Sequence, residues 1–293
     1  NFILFRLLFI REVIIMSEHM LTIFKIVQEN LEHMGEEVAL LAPNRSHLTY
    51  AELTKRIEFT VETLNHLGIG RNDRVALLLP SGSDVVSAVL SIASGATCVL
   101  LDLDREPADY ESLLVDLSPK ALVVLDGMQS PAIEVAEQLN IPLIDLVPQE
   151  KAGTFMLQPS VDYDASPAVN SGFAEPEDIA VMLMEELDAT GAQALVSLSH
   201  EQIVESGQIM ASNLHLTSDD RCLNFLSPTR PQRFVTSVVA SLCCSGSMVT
   251  PPSFDASYFY VWLTEYEPTW FTATFVTSQK ILEQVEGNEE RSE

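Results

Sequence analysis

Four short apolar runs without polar alternation limit the fold of this chain more than any other feature. They read RVALLLP (74–80), TCVLLD (97–102), ALVVL (121–125) and PLIDL (142–146). A strand that faces water on one side alternates apolar and polar residues; these do not, so both of their faces must be covered. Between them lie segments with helical spacing, at 84–93, 109–117 and 131–139, the first expected to be capped by Ser83 or Asp84. Strand, helix, strand in this rhythm predicts an α/β fold with parallel-rich sheets flanked by helices.

Residues 151–177 interrupt the rhythm with Pro, Ser, Gly and acidic residues, as a linker would. It then resumes. Strands are expected at 179–184, 221–226, 247–251 and 269–274, and helices at 199–213, 232–244, 255–266 and 276–286. The sequence thus divides into a first α/β subdomain over 16–150, the linker, an incomplete second subdomain over 178–286 and a solvated tail over 287–293. The first fifteen residues, NFILFRLLFIREVII, are apolar but broken by Arg6, Arg11 and Glu12. They fall short of the roughly 20 apolar residues of a membrane span, have no cleavage site and precede Met16. They are expected to be a dispensable leader, and membrane association is not expected.

Composition excludes several functions. Sixteen basic residues against forty-two acidic give a formal charge of −26 over 293 residues. Such a field repels nucleic acid and favours a protein partner with basic or apolar surface. Cys98, Cys222, Cys243 and Cys244 have no zinc-like spacing and sit in apolar surroundings, as free thiols in the reducing cytoplasm would. The histidines form no metal motif, so no metal is expected.

Glycine motifs are sparse. Gly68-Ile-Gly70 precedes a strand instead of following one, so it reads as a helix stop. Gly82 with Asp102 and Asp104 is a thin outline of a dinucleotide site, with too few glycines for a close pyrophosphate approach. Ser199-His200 reads as a helix cap beside a surface histidine. The stretch MLMEELDATGAQALVSLSH (182–200) joins a strand to a helix, the place where α/β proteins cradle phosphate. It carries Glu185, Glu186 and Asp188, a single glycine and no lysine.

LTYAEL (48–53), LGIGRNDRVALLLPSGSD (67–84), ASGA (93–96), PKALVVL (119–125) and PPSFDASYFYVWLTEYEPTWFTATFVTSQKIL (251–282) resemble AMP-forming acid–CoA ligases of the adenylate-forming superfamily. The resemblance is nearest the oxalate–CoA ligase-like branch. It runs from Leu21 to Val285 and matches the large N-terminal domain of such enzymes, without the C-terminal lid and its catalytic lysine. It implies that the 182–200 stretch holds the place of the phosphate loop T-S-G-T-T-G-x-P-K-G. There Thr190 and Gly191 remain, Asp188 replaces a glycine and Ala194 replaces the lysine. By the same resemblance, P-L-F-H-x-x-G of the acyl pocket corresponds to PTRPQRF (228–234), with Pro231 at the histidine and Phe234 at the glycine. V-P-T corresponds to Thr274-Phe275-Val276.

The degenerate cofactor-binding positions are therefore Asp188, Thr190, Gly191 and Ala194, and the substrate-pocket positions are Pro231, Phe234 and Phe275. No catalytic residue is expected in this span. The implied reading is a truncated or inactive ligase-like domain, at most a binding or scaffolding module, with no cofactor expected. The alternative is a working ligase using ATP and Mg²⁺, its C-terminal half supplied elsewhere. A third, unrelated class is another nucleotide-binding α/β protein.

Overall fold

The computed structural model describes residues 22–160, 166–186, 193–225 and 227–289. In chain order the first elements are α1 (Ile23–Met34), β1 (Val38–Ala42), β2 (Arg45–Thr49), α2 (Tyr50–His66), β3 (Arg74–Leu78), α3 (Ser83–Ala93), β4 (Thr97–Leu100), α4 (Pro107–Leu117), β5 (Ala121–Leu125), α5 (Pro131–Gln138), β6 (Leu143–Pro148) and β7 (Phe155–Pro159). They are followed by β8 (Ile179–Glu186), β9 (Gln193–Ser199), α6 (His200–Asn213), β10 (Arg221–Leu223), a helix that begins as α7 (Pro231–Arg233), widens into a π-helix (Phe234–Val239) and closes as α8 (Ala240–Cys243), then β11 (Ser247–Val249), α9 (Ala256–Tyr266), β12 (Trp270–Phe271) and α10 (Phe275–Glu289).

Two sheets result. One has the order β7-β6-β5-β3-β4-β8-β9, the other β12-β10-β11-β1-β2. Interior pairs such as β3 with β4 and β5, β4 with β8, and β11 with β1 and β10 are parallel. The antiparallel strands β2, β7 and β9 sit at edges. The apolar strands are buried as their lack of alternation requires, with β4 inaccessible along its length.

Helix α3 runs through the main core. SDVVSAVLSIA has no charged residue after Asp84, and all its residues but Asp84 are buried, as in an interior helix. Its residues share one continuous core with Leu40 and Met248 of the smaller sheet and Val75 and Val123 of the larger. The sheets therefore do not follow the division at the linker. β8 and β9 complete the sheet begun by β3, β1 and β2 join the sheet of β10–β12, and the linker contributes β7. An apolar strand takes the open edge that buries it best, whatever its place in sequence.

The cap of α3 also differs from expectation. Gly82 is its N-cap, at φ 137°, with no side-chain bond to the helix. Ser83 and Asp84 are instead engaged by Arg45, whose Nη1 donates to Ser83 Oγ and to both Asp84 oxygens. Gly68 does end α2's turn, at φ 76°. Helix α10 continues to Glu289, through part of the expected tail; residues 1–21 and 290–293 lie outside the described residues. No helix among the described residues is long and apolar enough to cross a membrane.

Candidate functional site

The strand expected at 179–184 and the helix opening at Ser199 both form, but 193–199 between them is a second strand, β9, instead of loop. β8 and β9 pair antiparallel from Ile179 opposite Ser199 to Glu186 opposite Gln193. The apolar residues Ala194, Leu195, Val196 and Leu198 are what makes 193–199 a strand. Asp188, Thr190 and Gly191 fall at 187–192, outside the described residues.

The base of the hairpin is densely bonded. Ser199 caps α6 through a reciprocal box with Gln202. His200 is wholly buried, not a surface residue: its Nδ1 accepts from the Ile23 N–H at 3.2 Å and its Nε2 donates to the Ala93 carbonyl at 2.9 Å. One neutral imidazole thus ties the starts of α1 and α6 to the end of α3. Burial pushes its pKa down to about 4, against the pull of the Ala93 carbonyl and Asp178. Beside it, Arg71 donates to both Asp178 oxygens, at 2.7 and 3.3 Å, and Asn72 donates at 2.8 Å. Burial works to raise the Asp178 carboxyl, but these bonds and the Glu175 N–H hold it below the usual range.

Beyond the other end of the hairpin, at the C-terminal ends of β3 and β4, is a cleft of about 590 Å³. Ligands of α/β sheets bind at such ends. Asp102, Arg105, Gln193, Thr229, Arg230 and Arg233 are among its lining. Arg105 Nη2 and Arg230 Nη1 both meet Asp102 Oδ2, at 2.9 and 3.2 Å. Arg105 also donates to Gln193 Oε1 at 2.9 Å, and Arg230 to the Met184 carbonyl at 3.1 Å. The loop after β4 is anchored from below by Tyr110, whose hydroxyl donates to the carbonyls of Asp102 and Leu103. The outline of Asp102 with Gly82 as a ribose site does not form: Asp102 is occupied by two arginines.

A family model described as AMP-binding enzyme matches residues 27–292. The chain belongs to the AMP-binding enzyme family. Among curated relatives of this domain, acyl-CoA synthetase ALT10 of Alternaria alternata is 26% identical over 278 residues, covering 82% of this chain and 48% of that protein. Oxalate–CoA ligase of Arabidopsis thaliana is 24% identical over 249 residues, covering 84% and 48%. The chain therefore spans about half the length of the curated relatives it matches. Among solved structures, apo MatB from Rhodopseudomonas palustris aligns with TM-score 0.72 at 19% identity, covering 90% of this chain and 51% of that one. O-succinylbenzoate coenzyme A synthetase from Bacillus subtilis, in complex with ATP and magnesium, aligns at 0.70 and 18% identity, covering 88% and 65%. These likenesses show that the fold is that of the N-terminal part of adenylate-forming enzymes.

Of the positions singled out by resemblance, Ala194, Pro231, Phe234 and Phe275 are among the described residues, and none of these four lines the cleft. Ala194 is half-buried in β9, its strand partner being Glu185. Pro231 is the first residue of α7. Phe234 is wholly buried in the main core, and Phe275, at the start of α10, is 77% exposed. Sequence reasoning missed the arginines that line the cleft. Their signal was present: PTRPQRF holds two arginines in a chain with only sixteen basic residues.

Proposed function

We propose that this acid–CoA ligase-like domain does not form acyl-adenylates by itself and serves as a binding or scaffolding module. The observation that carries this reading is Ala194. The position where the family's phosphate loop has lysine holds a methyl group, in register with the carboxylate of Glu185 on the neighbouring strand. A phosphate loop works by backbone N–H groups approaching the phosphates while a cation offsets their charge. A carboxylate about 4 Å from a phosphate oxygen costs roughly 4 kcal/mol at an effective dielectric near 20. That penalty comes on top of the missing cation.

Among the described residues all four cysteines are free, which fits a reducing, cytoplasmic setting. In this reading a protein partner presents basic or apolar surface to the acidic chain, and its binding weakens as salt rises.

A second reading is a working ligase whose remaining half joins this domain. It is favoured by the family match running to residue 292 while the chain spans half of its relatives. The test is ATP–pyrophosphate exchange with Mg²⁺ and a panel of carboxylic acids, on the wild type and on Ala194→Lys. The module reading expects neither to exceed the protein-free blank. Acid-dependent exchange by the wild type establishes the ligase.

A further inference from the structure

We propose that the open edge of β12, with the exposed start of α10, is a docking surface for an extended apolar segment of another protein flanked by lysine or arginine, which adds a strand to the smaller sheet. This surface deepens the module reading, on which it rests. β12 is the outermost strand of the order β12-β10-β11-β1-β2, and among the described residues β10 is its one neighbour. Its two residues have the character of an interior strand. Trp270 packs against the main core. The Phe271 ring, on the opposite face, meets Phe225 and Phe259 at centroid distances of 6.0 and 5.4 Å, yet Phe271 is 41% exposed. An apolar residue on each face calls for cover on both, as β3, β4 and β5 obtain inside the larger sheet.

The sequence leaves this edge unguarded. Strand edges are normally blunted by charge or proline, because their free N–H and C=O groups invite another chain. β2 carries Arg45 and His47, and β7 ends on Pro159. The run TWFTATFV (269–276) has neither charge nor proline and is rich in β-branched and aromatic residues. Residues 272–274 lie between β12 and α10, in neither element. There Thr272 Oγ1 is buried without a hydrogen-bond partner, which buried polar groups normally find. Just beyond, Phe275 and Val276 stand exposed, as does Leu282 further along α10.

Charge decides the kind of partner. The stretch 255–289 holds Asp255, Glu265, Glu267, Glu283, Glu286 and Glu289 against Lys280 alone. A second copy would bring the same acids to the same edge. A segment with basic flanks would instead meet Glu265 and Glu267, which immediately precede β12, and Glu283 on α10. Opposite charge steers such a segment in and makes its binding weaken with salt. Backbone pairing along the added strand supplies affinity, and its apolar side chains cover Phe271 and Phe275.

The experiment titrates the full chain with the peptide KKVTVIVKK, its acidic counterpart EEVTVIVEE and the proline-broken KKVTPIVKK. Binding is read by fluorescence polarisation, its place by amide hydrogen exchange, and self-association by analytical ultracentrifugation. The basic peptide should bind and protect amides over 270–274, about tenfold more weakly at about 0.5 M salt than at about 0.05 M. The acidic and proline-broken peptides should each bind at least about tenfold more weakly. Phe275→Asp, at an exposed position, should weaken the basic peptide about tenfold. These results together support the surface. No binding of the basic peptide, equal binding of the proline-broken one, protection elsewhere, or a dimer protected over the same amides overturns it, the last making a second copy the occupant. If Phe275→Asp fails to fold by circular dichroism, the protected amides and the proline-broken peptide decide the matter. Failure here with no acyl-adenylate formed sinks the surface and leaves the module reading standing. Acyl-adenylate formed by the chain sinks the module reading, whatever the peptides do.

Discussion

The two ends of the β8–β9 hairpin differ. At its base, Asp178 and His200 hold the fold together: Asp178 receives Arg71 and Asn72, and His200 joins three helices. A few residues along the same strands lies Ala194, the position the resemblance assigns to the phosphate-loop lysine, with Glu185 as its strand partner. On the proposed reading, the base of the hairpin serves the fold, and the other end holds the position where the cation of adenylation is missing.

The largest effect is expected at His200. His200→Ala removes two buried hydrogen bonds and leaves a cavity, so it should cost about 3 kcal/mol of stability in urea unfolding. A loss under about 1 kcal/mol would show that the base of the hairpin is no framework.

The same group sets a pH dependence of similar size. His200 is held neutral, its pKa lowered to about 4 from an ordinary 6.5. The unfolded chain then binds a proton that the folded one refuses. The stabilising contribution is complete above pH 6.5 and is lost as pH falls toward 4, by about 3 kcal/mol in all. Urea midpoints measured across that window should fall, and His200→Gln should flatten the fall.

Asp178→Asn should act more mildly. It keeps the shape of the carboxylate but weakens the bidentate contact with a partly exposed Arg71, a loss of about 1–2 kcal/mol by the same assay. The smallest effect belongs to the other end: Ala194→Lys should leave stability within about 0.5 kcal/mol, since a half-buried strand-edge position lets the long side chain reach water. If Ala194→Lys destabilises as much as His200→Ala, the two ends are not different and the contrast fails.

Much of this fold is legible in the residues alone. VALLL, TCVL and ALVVL cannot be half-exposed strands, and the interior helix at 83–93 announces itself by carrying no charge after Asp84. The edges are less legible. RSHLT (45–49) and FMLQP (155–159) become strands because an open sheet edge is available to them, which no local pattern records. β9 is hidden for another reason: the stretch between the strand at 179–184 and the helix at 199 reads as a loop, whereas its apolar residues pair with β8. The burial of His200 depends on Ile23 and Ala93, both remote in sequence. The cleft is least visible of all. Asp102, Arg105 and Arg230 can be noticed one by one, but their meeting on a single oxygen is a product of the sheet order that sets β4 beside β8.

On the proposed reading this domain keeps the adenylate-forming fold without its chemistry. The deciding measurement is a single turnover with the full chain in excess over radiolabelled ATP, Mg²⁺ and a panel of carboxylic acids, quenched and resolved for acyl-adenylate. No adenylate above the protein-free control is expected for any acid, at any time of quench. Adenylate accumulating in proportion to the protein would contradict it.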